Sequence, residues 1–115
     1  MPGSDLAVFT TEGGTGKITD TYATAYASPI NDDQQDWTLT SYSLDGGFII
    51  WEGERLLKTC DNQDWEIRDD SEADTPAHKV IAAWGNSASM SYHGGNRCVV
   101  SCDNILAMRL HSNTL

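Results

Sequence analysis

The stretch Trp37-Thr38-Leu39-Thr40-Ser41-Tyr42-Ser43-Leu44, then Asp45-Gly46-Gly47, then Phe48-Ile49-Ile50-Trp51-Glu52 constrains this chain more than any other. Its first run alternates with a period of two, as a strand with one buried face must. Asp-Gly-Gly supplies residues that accept positive φ in a tight turn, and an apolar, β-branched run then returns. The spacing predicts a hairpin here, ended by Arg55-Leu56-Leu57. No segment carries a sustained 3.6-residue apolar stripe, so a helical architecture is excluded.

The rest of the chain divides into strand-length pieces. Leu6–Thr10 and Lys17–Tyr22 flank Gly13-Gly14-Thr15-Gly16 and predict a second hairpin. Residues 23–36, with Pro29, Asn31, Asp32 and Asp33, read as a loop. Residues 66–77 are polar and contain Pro76, which bars regular pairing, so they read as a surface loop. Lys79–Trp84 is a buried-strand pattern stopped by Gly85-Asn86, and Arg97–Ser101 and Ile105–Leu110 supply the last two strands. Spacing alone thus implies an all-β sandwich. One domain over residues 1–111 with a short tail, 112–115, accounts for the whole length.

The 115 residues carry a formal charge of −10. That balance excludes nucleic acid, whose phosphates demand clustered Lys and Arg, and disfavours docking on anionic lipid. No run approaches the roughly 18 apolar residues that span a bilayer. Met1 leads straight into Pro, Gly, Ser and Asp, which is no signal peptide, so any export signal is expected outside this chain. The acidic residues Asp32-Asp33, Asp61 to Asp70 and Glu72 to Asp74 read as solvated loops. Three cysteines are an odd count. On one strand Cys98 and Cys102 lie about 13 Å apart, beyond the reach of a disulfide without a bend or bulge. Without a CxxC pair, and with three scattered His, the chain offers no zinc site.

Three pieces carry more specific information. They are Leu56-Leu57-Lys58-Thr59-Cys60-Asp61-Asn62-Gln63-Asp64-Trp65, Val80-Ile81-Ala82-Ala83-Trp84-Gly85 and Ser91-Tyr92-His93-Gly94, preceded by Gly3-Ser4-Asp5 and Ile18 to Thr24. In this order they resemble the DOMON domain, over most of residues 1–111. The resemblance implies an immunoglobulin-like antiparallel β-sandwich that serves as an extracellular or extracytoplasmic ligand-binding and redox-accessory module. Such a module is not catalytic alone, and its partner is an oxidoreductase or monooxygenase domain. DOMON sandwiches ordinarily have strands before the Gly-Ser-Asp motif, so a chain truncated at its N-terminus is expected.

In the haem-binding branch of that family, a Met in an M-x-G-x-D motif and a late His hold a b-type haem. Met1-Pro2-Gly3-Ser4-Asp5 resembles the motif and His93 the late His. The resemblance therefore implies haem b with Met1 and His93 as iron ligands, a pairing that suits single-electron transfer. Met90 is an alternative thioether, although only three residues from His93. A second reading stays open, because Tyr92-His93-Gly94 also occurs in haem-free DOMON domains attached to copper monooxygenases. Most DOMON sequences have Gly where this chain has Cys60, whereas the dopamine β-monooxygenase type has Cys. That likeness implies a disulfide between Cys60 and a downstream catalytic domain, whose copper ligands fall outside these residues.

Asp61 and Asp64 are either paired carboxylates for a cation or turn residues capping backbone amides, and the turn is the preferred reading. Four Trp and four Tyr leave a third option, a carbohydrate-binding face, although core packing explains most of them more cheaply. Met108 and His111 read as core and tail. No Ser-His-Asp set, P-loop or dinucleotide fingerprint is present.

Overall fold

The structure, a computed structural model, describes residues 2–46, 48–67 and 78–102. Seven strands form three antiparallel sheets among these residues: β1 (Ser4–Thr10), β2 (Lys17–Ala23), β3 (Ile30–Asn31), β4 (Thr38–Asp45), β5 (Phe48–Glu54), β6 (His78–Ala83) and β7 (Arg97–Cys102). The all-β antiparallel class follows directly. The expected strand Ile105–Leu110, the tail 112–115 and most of the loop 66–77 lie outside the described residues.

The first sheet has the order β1-β2-β3. Its β1–β2 register runs from Ser4 opposite Ala23 to Thr10 opposite Lys17, with a short 3-10 turn, Glu12–Gly14, between the strands. The second sheet is the predicted hairpin, β4–β5, closed with Asp45 opposite Phe48 and broken by a bulge between Leu39 and Ser41. The third pairs β6 with β7, from His78 opposite Cys102 to Ala83 opposite Arg97. One rung continues beyond it, since the Trp84 amide donates to the Asn96 carbonyl at 3.1 Å.

Aromatic packing joins the first sheet to the second. The Phe9 ring stacks on Trp51 at 5.5 Å and tilts against Tyr42 at 5.7 Å. Gly16 sits where a Cβ would run into the Tyr42 ring, so a side chain there would have to displace that ring.

The loop predicted over residues 23–36 contains a strand. β3 is two residues long and pairs Asn31 with Thr21 and Ile30 with Tyr22. Such a strand is too short to show any period, which is why the sequence pattern misses it. Burial is also distributed unexpectedly. Ala23 is the one fully buried apolar side chain among the described residues, while Asp20, Thr21 and Asp32 are buried beside it. The interior that these strands enclose is therefore acidic at its centre.

Candidate functional site

The carboxylates meet where β2, the loop after β3 and the loop 59–65 converge. Along Thr59-Cys60-Asp61-Asn62-Gln63-Asp64 the chain turns sharply. Cys60 takes φ 62°, a left-handed conformation that ordinarily suits Gly. The Gln63 amide donates to Asp61 Oδ1 at 2.9 Å, and the Asp64 amide to the Asp61 carbonyl at 3.3 Å. Thr59 Oγ1 donates to Asp64 Oδ2 at 2.6 Å. This is the turn read from the sequence, with Asp61 holding a backbone amide.

The other oxygens of the same residues face a different environment. One oxygen each from Asp32, Asp61 and Asp64 lie within 4.8 Å of one another, and so do oxygens of Asp5, Asp20 and Asp64. For Asp32, Asp61 and Asp64 the solvated-loop reading is thus corrected: Asp32 is 5% exposed, and Asp61 and Asp64 are half-buried. Five oxygens in this chamber are buried without a hydrogen-bond partner: Asp20 Oδ1, both of Asp32, Asp61 Oδ2 and Asp64 Oδ1.

Arg55 is the cation of the chamber. Its Nη1 lies 2.8 Å from Asp5 Oδ2 and 3.6 Å from Asp64 Oδ2, with its side chain only 2% exposed. Its Nη2 donates to the Trp65 carbonyl, and its guanidinium stands over the Trp37 ring at 5.8 Å. Asp5 also accepts from the Trp65 amide at 2.9 Å, and the Trp65 indole donates to the Gly3 carbonyl at 2.8 Å. The Gly3-Ser4-Asp5 and Asp64-Trp65 motifs, distant in sequence, are therefore one constellation organised by Arg55.

Gln35 ties β2 to the loop after β3. Its Oε1 accepts from the Asp20 amide at 2.7 Å, and its Nε2 donates to the carbonyls of Asp20 and Asp32 at 3.0 and 3.1 Å. One guanidinium against five carboxylates leaves the cluster electrostatically unbalanced. Burial foremost, only partly offset by the Asp36 amide, pushes Asp20 from 3.8 up to about 6. Asp32 is raised well above the ordinary carboxylate range, first by burial, then by the adjacent Asp64 carboxyl group and the charges of Asp20, Asp64 and Asp61.

His93 sits elsewhere, in the connection between β6 and β7. Its Nδ1 is 2.8 Å from the Gly94 carbonyl and its ring lies 5.1 Å from Tyr92. The Asn96 amide donates to the His93 carbonyl at 3.1 Å, with Gly94 at φ 60° completing the turn. An open pocket of 440 Å³ adjoins the ring, lined mostly by Gly, Ser and Asn, with Tyr92 as its one large side chain besides His93. The described walls of this pocket are largely polar, whereas haem pockets are walled mostly by apolar side chains. Met1 lies outside the described residues, and Met90 lines a different pocket with Val8, Thr19 and Asn31.

Cys60 is exposed and its thiol is free, as is that of Cys98 on β7. Leu56, Leu57 and Trp65, close to Cys60 in sequence, are exposed as well.

Sequence reasoning finds Asp61 and Asp64 but misses Asp20, Asp32 and Arg55. Asp20 carries the one visible signal, a carboxylate in the middle of a strand otherwise made of β-formers. A family model for the DOMON domain matches residues 1–75, which include every member of the acidic chamber and leave out the His93 loop. No solved structure matches the chain.

Proposed function

This chain belongs to the DOMON domain family, and from that premise we propose that it is the haem-free accessory domain of a copper-dependent monooxygenase. It works outside the cytoplasm, as domains of this family typically do, and a disulfide from Cys60 ties it to its catalytic partner. The carrying observation is the exposed, unpaired thiol of Cys60, presented by a left-handed residue on a turn that buried hydrogen bonds hold in place. A thiol so presented can reach another domain without disturbing the sandwich. Leu56, Leu57 and Trp65, 73%, 48% and 67% exposed, offer apolar surface for the same contact.

Mass spectrometry of alkylated peptides from the full-length secreted protein tests this reading. The expected result is a cross-linked peptide containing Cys60. Recovery of Cys60 fully alkylated without reduction overturns it.

Haem b held by Met1 and His93, for electron transfer to a partner oxidoreductase, is the second reading. The contact between His93 Nδ1 and Gly94 favours it, because an imidazole fixed through one nitrogen offers the other to a metal. When bound, haem would supply one-electron chemistry. An absorption spectrum after haem is supplied separates the readings: split α and β bands on reduction, lost in His93→Ala, support haem, and a flat visible spectrum from folded protein removes it.

A further inference from the structure

We propose that the acidic chamber between β2, the loop after β3 and the 59–65 turn is a calcium site, with Asp32, Asp61 and Asp64 as its carboxylate ligands. The inference is independent of the accessory-domain reading, since it needs neither a disulfide at Cys60 nor a partner domain.

Three observations carry it. The first is the spacing. Calcium takes oxygens at about 2.3–2.6 Å, so ligands on opposite sides of one ion stand about 4.6–5.2 Å apart. One oxygen each of Asp32, Asp61 and Asp64 lie within 4.8 Å of one another. Magnesium, at about 2.0–2.1 Å and strictly octahedral, demands a tighter cage.

The second is the lack of partners. Asp32 is 5% exposed and neither of its oxygens accepts a hydrogen bond. Buried carboxylate oxygens are expensive to leave unpaired, and a cation is the partner that compensates several of them at once.

The third is how the oxygens are shared out. Asp61 uses Oδ1 for the Gln63 amide, and Asp64 uses Oδ2 for Thr59 and Arg55. In each case the second oxygen is the one without a partner. One oxygen fixed by the protein and one left over is how a coordinating carboxylate is oriented by its neighbours. Arg55 does not fill the gap, because its closest carboxylate is Asp5.

A shared proton is the rival occupant, so the test is run above its range. The 115-residue chain is stripped with chelator, exchanged into metal-free buffer at pH 7.5 and melted with and without millimolar CaCl2. The expected result is a saturable rise in Tm of about 5 °C or more, with one calcium per chain by elemental mass spectrometry. MgCl2 at the same concentration is expected to produce a clearly smaller rise. Asp32→Asn removes a charge from a crowded site, so its metal-free Tm should equal or exceed that of the parent while the calcium increment disappears. Asp61→Asn, which keeps Oδ1 for the Gln63 amide, should behave alike and serves if the first variant does not fold. Exposed Asp33→Asn should keep the full increment. The proposal is overturned if calcium leaves the parent Tm unchanged, if magnesium acts equally, or if both Asn variants respond like the parent.

Discussion

The acidic chamber and the His93 loop both gather polar side chains beside a sheet, yet they are assembled in opposite ways. To the local bonds of its 59–65 turn the chamber adds others that bridge distant parts of the chain: Arg55 to Asp5, Trp65 to Asp5, Trp65 to Gly3, Gln35 to Asp20. In the loop the bonds are local, joining His93 to Gly94, Asn96 to His93 and Ser89 to Ser87, with Thr11 to Ala88 as the long-range tie. Groups held by distant elements stay put unless the whole domain opens, whereas a locally bonded loop opens at little cost. Position in the chamber is thus set by the fold, and position at His93 by the turn alone.

The largest expected effect tests the first half of that contrast. Arg55→Met keeps an unbranched apolar stem but leaves Asp5 and Asp64 without their cation. It should cost about 3–5 kcal/mol, read as a lower urea midpoint at constant m. A loss below about 1 kcal/mol would mean that the chamber is not held together by its charges.

The pH dependence in metal-free buffer comes next. Asp20 is held near 6 in the folded protein against 3.8 ordinarily, so the native state binds its proton more tightly than the unfolded chain does. The stability this contributes is complete below 3.8 and is lost as pH rises through 6. The urea midpoint should fall across that window, and Asp20→Asn should flatten the fall. A midpoint that climbs instead would place the dominant titration elsewhere.

Cys60→Gly is expected to do the reverse of most substitutions. Relief of the left-handed strain, less the added freedom of the unfolded chain, should leave a gain of about 0.5 kcal/mol. A loss would show that the Cys60 side chain contributes packing its exposure does not reveal.

His93→Ala should change stability least, by under about 0.5 kcal/mol. A cost above about 1.5 kcal/mol would break the comparison, since it would make the loop as tightly coupled to the fold as the chamber is.

How far the sequence could be read divides along similar lines. The β4–β5 hairpin was legible because Asp45-Gly46-Gly47 and the flanking alternation are local signals, and β1–β2 because four turn-forming residues separate two β-prone runs. β3 was not, being two residues without a period of their own. At the chamber, the Asp61 to Asp64 turn was legible from its spacing. Asp20 and Asp32 were not, because what makes them special is the company of residues dozens of positions away. Composition counts such carboxylates as solvated, and only the meeting of β2 with two loops makes them an interior.

Gln35 has a bearing on how this domain behaves among copies of itself. β3 covers β2 at Thr21 and Tyr22 only. At the next position the side chain of Gln35 engages both the amide and the carbonyl of Asp20, and the Asp32 amide adds a second donor to that carbonyl. The margin of the sheet is thus sealed at that point by one carboxamide acting as a peptide unit. An extended segment from a neighbouring molecule therefore finds no vacant rung at Asp20.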